Sequence, residues 1–481
     1  MIKNHLKVLL TEKLSFSPTK CQARLIDVLS EYITSQEPDE IMLIKGYAGT
    51  GKTTMIFSLT QTLLTLKIRS VLMAPTGRAA KVMSGYSGMP AFTIHKKIYR
   101  QKTTTDGMSK FVLNKNLYKN TYFIVDEASM ISNELSENSV FGSGRVLDDL
   151  LEFVYSGENC RLVLVGDTAQ LPPVGLSISP ALEPFTLETY GFSVKEVELT
   201  DVVRQAKGSG ILSNATEIRK LIGEDYENSG FFPIDLANFD DIEKISGADL
   251  IENISSCYDK HGFFETTVVT RSNKRANIYN KGIRGSILYK ENEIERGDLL
   301  MVVKNNYFWA EGEPDLELDF IANGDIAEII SIYGYEELYG FRFANVSLRF
   351  VDYENVELDC KIFLETLSIE TASFSYDRNR ELFNAVSEDY ADIRNKKKRW
   401  EKIKANPYYN ALQVKYAYAL TCHKAQGGQW KAVFVDHGYL TEDMLDTEYY
   451  RWLYTAFTRP TEKLYLVNFD KGFFGEREES F

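Results

Sequence analysis

Eight consecutive residues constrain this chain more than any other feature: Gly46-Tyr47-Ala48-Gly49-Thr50-Gly51-Lys52-Thr53. They fit the spacing Gly-x-x-x-x-Gly-Lys-Ser/Thr. The apolar run Ile41 to Ile44 precedes them and reads as a buried strand, and the helix-forming stretch Thr53 to Leu66 follows. Glycines at these positions let the backbone wrap an anion with its N–H groups, and the helix N-terminus adds a favourable dipole. The pattern assigns Gly46, Ala48, Gly49, Thr50, Gly51, Lys52, Thr53 and Thr54 to a nucleotide-phosphate site. Lys52 is expected to reach the outer phosphates and the Thr53 hydroxyl to ligate Mg²⁺.

A chain with this loop needs strands and helices in alternation, and the sequence supplies them. Thr19 to Ile33 has apolar positions at helical spacing, and Ser70 to Met73, Tyr122 to Val125 and Leu162 to Val165 read as strands. The alternation predicts a parallel sheet covered on both faces. The strand Tyr122 to Val125 runs into Asp126-Glu127. Taken alone, two acids there are an ordinary strand end. Beside a phosphate loop they have a chemical use: Asp126 would hold Mg²⁺ through water, and Glu127 would orient and deprotonate an attacking water. The strand Leu162 to Val165 leads to Gln170, carried on a loop stiffened by Pro172 and Pro173, where an amide can report whether a γ-phosphate is present.

Two stretches break the rhythm. Ile98 to Leu113 contains Asp106-Gly107 between strand-like runs, a hairpin signal. Gly297 to Leu364 is rich in short strands and predicts a small barrel. A second alternating series surrounds that barrel. Thr267 to Thr270 is strand-like and Arg271 to Ile283 helical. The charged stretch Glu381 to Lys404 predicts a helix, and strand–helix–strand character returns from Val414 to Asn468.

At 481 residues the chain calls for roughly two to four domains. No apolar run approaches the roughly 18 residues of a membrane helix, and the lysine-broken N-terminus is unlike a cleaved signal. Cys21, Cys160, Cys257, Cys360 and Cys422 form no CxxC pair, which fits a reducing cytoplasm rather than a disulfide framework. The net charge of −13 weighs against nucleic-acid binding across the whole surface. It leaves room for a locally basic channel. Lys96, Lys97 and Arg100, then Arg271, Lys274 and Arg275, then Lys396 to Arg399 are the clusters to weigh, each against the plain alternative of a solvated face.

In this order, the elements resemble those of superfamily 1 helicases, most closely the RecD-like and Dda-like branch that includes the Pif-type enzymes. Ala74-Pro75-Thr76-Gly77-Arg78-Ala79-Ala80 is similar to the family's motif Ia, and Thr93-Ile94-His95 to its next nucleic-acid contact. Leu199-Thr200 through Arg204-Gln205 resembles the fourth motif, Tyr418 to Gly427 the fifth and Leu453 to Arg459 the sixth. The resemblance implies two tandem RecA-like P-loop lobes of α/β class. The first is residues 1–210 with a hairpin insertion at 96–121. The second is residues 211–324 and 411–481 around an SH3-like barrel at 325–410. It also implies ATP and Mg²⁺ as cofactors, Gln22 as an adenine reader, Arg204 and Arg459 as arginine fingers, and Gln170 as phosphate sensor. Pro75, Thr76, Thr93, His95, Thr421, His423 and Lys424 would face the strand. Phe111, with Tyr99 second, would be the wedge on a duplex-splitting hairpin. Implied with these are single-stranded and forked DNA as partners and 5′ to 3′ movement. A monomer is the default, since one chain supplies both lobes of the site, and no membrane is expected; replication and repair proteins stand as candidate partners, with repair, recombination, replication restart and a mobile-element role all open as pathways.

Two other readings keep the same ATP residues. One is an RNA helicase of a related branch, since nothing here reads a 2′-hydroxyl. The other is an ATP-gated clamp that binds single strands without unwinding duplex, which a non-functional hairpin would favour.

Overall fold

The computed structural model describes residues 2–475 apart from 104–108, 136–140, 204–207, 224–230, 238, 311–319, 354–355 and 442–443. Among them, two parallel sheets and one antiparallel sheet carry the architecture. The first sheet has six strands in the order Ala91–Thr93, Arg69–Ala74, Thr121–Val125, Arg161–Gly166, Glu40–Gly46 and Ser193–Leu199, every pair parallel. Strand residues alternate between the faces of a sheet, and both faces here are apolar. Ile41, Leu43, Phe123, Val125, Leu162 and Leu164 enter one core. Met42, Ile44, Tyr122, Ile124, Val163 and Val165 enter the other. A strand buried on both sides has no polar face to show, which is why these segments read as continuous apolar runs.

The second sheet has five parallel strands in the order Ala419–Thr421, Thr266–Thr270, Trp430–Asp436, Pro460–Val467 and Ile242–Ile245. Helix Thr447–Phe457 crosses between its last two long strands. Nearly all of that helix is buried, because it packs on its own sheet and also meets the first lobe.

The antiparallel sheet is larger than the 325–410 segment expected from sequence. Its order is Glu357–Phe363, Phe341–Phe350, Ile326–Leu338, Leu299–Val302 and Val414–Tyr416. Strands on both sides of the expected boundaries therefore belong to it. Its edges curl toward each other, since Phe363 donates its N–H to Leu412 O at 2.9 Å and Leu412 donates to Lys361 O at 2.7 Å. The expected single helix Glu381 to Lys404 is two helices, Tyr376–Glu388 and Lys396–Lys404. Asn395 caps the second by accepting from the N–H groups of Lys397 and Lys398. Both sit on an aromatic cluster of Phe341, Phe343, Phe363 and Phe374. Tyr99–Thr103 pairs antiparallel with Ser109–Leu113 as a hairpin in the first lobe. Among the described residues no helix is long and apolar enough to cross a membrane.

Candidate nucleotide site at the lobe junction

In a parallel α/β sheet the loops after the strands gather at one edge, and ligands bind there. Here the strands ending at Gly46, Val125 and Gly166 deliver the glycine loop, Asp126-Glu127 and Asp167 to one cavity of about 520 Å³. Gly49 and Gly51 hold φ of 73° and 86°, the left-handed region that favours glycine. A β-carbon on Gly51 would come within 2.5 Å of Gln22 Nε2.

Lys52 folds back into its own loop. Its Nζ donates to Gly46 O at 2.6 Å and Tyr47 O at 2.9 Å, and lies 3.5 Å from Asp167 Oδ2. Thr53 is exposed on the cavity wall. Asp126 accepts from the Tyr86 hydroxyl at 2.7 Å and from the Glu127 N–H at 2.8 Å. Burial pushes its carboxyl up. Burial also pushes Glu127 up, to about 7, opposed by the positive charge of Arg459 and helped by the neighbouring Asp126. Glu127 takes φ 54°, a conformation uncommon for a residue with a side chain, at the start of a tight turn. Gln170 lines the same cavity with its Oε1 buried and without a hydrogen-bond partner.

Arg459 enters from the second sheet. It is 3% exposed, and three protein oxygens orient it: Thr455 O at 2.9 Å, Gly428 O at 3.2 Å and Thr458 Oγ1 at 3.0 Å. Helix Thr447–Phe457, just before it, grips the loop after strand Arg161–Gly166. The Tyr454 hydroxyl accepts from the Ala48 N–H and donates to Asp167 Oδ2, each at 2.8 Å. Burial and the Asp167 charge hold that phenol protonated. Thr455 Oγ1 accepts from the Leu171 N–H at 2.9 Å, Gln426 Nε2 donates to Leu171 O at 2.6 Å, and Arg451 donates to Thr168 O.

Residues 27–225 match the family model of an AAA domain, and residues 416–467 match that of a UvrD-like helicase C-terminal domain. The chain is 24% identical to the ATP-dependent RecD2 DNA helicase of Deinococcus radiodurans, over 93% of this chain and 50% of that longer one. It is also 24% identical to the ATP-dependent DNA helicase dda of Enterobacteria phage T4, over 83% of this chain and 88% of that one. These matches support a superfamily 1 helicase, similar to the RecD2 and dda enzymes. Among solved structures, a Bacteroides Pif1 helicase in complex with ADP-AlF3 and single-stranded DNA aligns over 96% of this chain and 95% of that one, with a TM-score of 0.46 and 14% identity.

The fold brings together most of the expected nucleotide residues. Lys52, Thr53, Thr54, Asp126, Glu127, Gln170 and Arg459 share one cavity with Ala48, Gly49 and Gly51. Gly46 and Thr50 shape the loop from behind it, and the Thr50 Oγ1 donates to Tyr47 O at 2.7 Å. Arg204 lies outside the described residues. A divalent cation fits the donor set, since Thr53 and Asp126 offer hard oxygens to the same space.

Gln22 is fully buried, and each end of its amide has a protein partner: Nε2 donates to Thr50 O at 3.0 Å, and Oε1 accepts from the Thr19 N–H at 3.0 Å. The reason is a capping box, in which Thr19 and Gln22 satisfy each other at the start of helix Lys20–Thr34. Gln22 braces the phosphate loop through its bond to Thr50 O.

The expected strand-facing residues divide. Thr76 and Thr93 cap helices Gly77–Ser87 and Ile94–Ile98, accepting from Ala79 N and Lys96 N. Thr421 opens helix Cys422–Ala425 with no side-chain cap bond, beside exposed His423. Lys424 donates to Asn323 Oδ1, and burial pushes its ammonium down to about 8. Pro75 stands half-buried just ahead of Thr76. His95 does not behave as a phosphate contact. Its ring packs against Phe141 at 4.7 Å and Tyr99 at 5.6 Å, and burial pushes it down to about 4, so it is neutral at physiological pH.

Phe111 is not an exposed wedge either. It is 5% exposed, with ring centroids 4.4 Å from Tyr307 and 4.9 Å from Phe141. Tyr99, the second choice, is equally buried and donates to Asp149 Oδ2 at 2.6 Å. Both sit at the base of the hairpin, where the core claims aromatics. Its tip, 104–108, lies outside the described residues. Sequence reasoning also gave no role to Asp167 and Tyr454. For Asp167 a signal existed, since it ends an apolar strand just as Asp126 does.

Proposed function

We propose that this chain is an ATP-dependent DNA helicase that moves along single-stranded DNA, 5′ to 3′, and separates duplex as it goes. The observation that carries this reading is the shared cavity. Lys52, Glu127 and Gln170 reach it from the first lobe and Arg459 from the second, so a bound γ-phosphate would be held from both sides. Glu127 would take a proton from the attacking water, and the Arg459 guanidinium would meet the charge that spreads onto the phosphoryl oxygens. Mg²⁺, held through Thr53 and Asp126, would neutralise phosphate charge. Loss of the γ-phosphate removes the bridge, and the lobes separate. Thr76, Thr93, Thr421, His423 and Lys424 would hold the strand across both lobes, so opening and closing becomes stepping. One chain supplies both halves of the site, so a monomer suffices. The relatives named above as ATP-dependent DNA helicases support DNA as the substrate.

A second reading, an ATP-gated single-strand clamp, draws on one observation: both aromatic candidates for a duplex wedge, Phe111 and Tyr99, are buried. The test is ATP hydrolysis with and without single-stranded DNA or RNA, alongside strand displacement on 5′-tailed and 3′-tailed duplexes. Displacement from the 5′ tail alone supports the helicase and its polarity. Stimulated hydrolysis with no displacement from either tail supports the clamp.

A further inference from the structure

The start of helix Gly77–Ser87, in the first lobe, touches the loop that holds Arg459 in the second. Arg78 makes the contact. Its NH2 donates to Gln429 O at 3.0 Å, and its guanidinium lies 4.1 Å from the centroid of the Trp430 ring. The loop has no slack toward that helix. A β-carbon on Gly427, which holds φ 71°, would come within 2.8 Å of Ala79 Cβ and 3.3 Å of Thr76 Oγ1. One on Gly428 would come within 3.0 Å of Arg78 Cδ.

The other side of the same loop holds the arginine finger. Arg459 NH1 donates to Gly428 O at 3.2 Å, and the Trp430 N–H donates to Arg459 O at 3.2 Å. Residues 427–430 are thus clamped between the residues that follow Thr76 and both the backbone and the side chain of Arg459. Lys81, one turn along the helix, donates to Val351 O at 2.5 Å and fixes the helix to the antiparallel sheet as well.

We propose that Arg78 is a positioning residue that couples strand binding at Thr76 to the placement of Arg459, and so sets how strongly single-stranded DNA stimulates ATP hydrolysis. The proposal rests on the helicase reading above. A packed path alone does not establish coupling; coupling needs an element with two arrangements that both sites bias. The lobe junction is that element. A strand seated on the N-terminal end of helix Gly77–Ser87 favours the arrangement in which Arg78 stacks on Trp430. That stack sets Gly428 O, and Gly428 O sets the guanidinium. Arg78 does not line the cavity that Lys52, Glu127 and Arg459 share.

The experiment is steady-state ATP hydrolysis by the full chain and by Arg78→Ala, each with and without single-stranded oligothymidylate, with strand affinity measured by fluorescence anisotropy. The expected result is basal turnover and ATP KM within about twofold of wild type, strand affinity within about threefold, and stimulation reduced roughly tenfold, inside the range typical of coupling between two sites. Arg78→Met, which keeps the aliphatic stem against Gly428, replaces Arg78→Ala if that variant does not fold, and is judged by the same criterion. The double variant with Trp430→Phe separates coupling from packing. Trp430→Phe keeps an aromatic face for the guanidinium, so alone it should retain most of the stimulation, and with Arg78→Ala it should lose no more than Arg78→Ala does. Full stimulation in Arg78→Ala overturns the proposal, and so does an equal fall in basal and stimulated rates. If wild type is not stimulated at all, the helicase reading fails first, and that outcome is read from the wild-type arm alone.

Discussion

Asp126 and Asp436 look alike in the sequence, each closing an apolar strand of a parallel sheet, one in each lobe. In space they differ. Asp436 is held by Arg275, Nε at 2.5 Å and NH2 at 2.7 Å, and by Asn468 Nδ2 at 2.7 Å. Its charge is fully answered by protein. Asp126 has a phenol and one backbone N–H, and its carboxyl looks into a cavity that also holds Lys52, Glu127 and Arg459. A buried charge is tolerated when something pairs it. For Asp436 the partner is built in; for Asp126 we propose that the partner arrives with the nucleotide. The two sheets are equivalent scaffolds, and the chemistry lies in what the loops leave unpaired.

Substitutions in the cavity should therefore act on turnover, and substitutions away from it on stability. The largest effect is expected for Lys52→Ala, which removes the cation from the phosphate loop. ATP hydrolysis should fall by at least about 10³-fold while the melting temperature holds. Near-normal turnover would mean that the cavity is not the ATP site. Arg459→Ala should reduce hydrolysis by roughly 10³-fold and leave ATP affinity within several-fold, because a finger acts on transition-state charge. Equal losses in binding and turnover would reduce Arg459 to a binding group.

Phe111→Ala falls on the other side of the comparison. Removing a buried ring from the cluster with Phe141, Tyr307 and Phe320 should cost about 3 kcal/mol of folding stability. Denaturant unfolding measures it. Unchanged stability with lost strand displacement would instead restore Phe111 to the wedge. Asp436→Asn should cost about 2 kcal/mol, discounted because Arg275 is partly exposed. Its turnover should stay within about twofold of wild type by the same ATPase assay. A large fall in turnover from Asp436→Asn would break the contrast between the two acids.

The contrast also marks what sequence could carry. The glycine loop was legible because spacing, strand and helix are all local. The Thr19-x-x-Gln22 capping box was equally local, and it accounts for the burial of Gln22 at the helix start. Contacts made across the chain left no such mark. Tyr454 meets Ala48 across 406 positions, and Leu300 pairs with Tyr416 across the whole insertion. The burial of Phe111 depends on Tyr307 and Phe320, which no reading of the hairpin alone would bring to it. Two of the parallel strands, Ala91–Thr93 and Ile242–Ile245, are too short or too polar in pattern to stand out from turns.

Each lobe also holds a histidine packed among aromatic rings, and pH distinguishes how tightly. His437 is 2% exposed among Phe469, Phe473 and Tyr449, its Nε2 without a hydrogen-bond partner, and burial pushes it down to about 4. His95 is pushed down to a similar value, but its ring is partly open to solvent. A histidine whose folded pKa is depressed takes up a proton more readily when unfolded. Between about pH 6.5 and 4 the unfolded chain therefore binds more protons, and stability falls as pH falls. Above about 6.5 both rings are neutral in either state and their contribution is flat. His437 should account for about 3 kcal/mol of the loss at pH 4, and His95 for less. Denaturant midpoints from pH 7.5 to 4 measure it, with His437→Phe as the control. That variant should lose part of the acid slope. If the slope is the same in His437→Phe, the ring at position 437 is not held neutral, and the second lobe does not exclude charge as tightly as its burial implies.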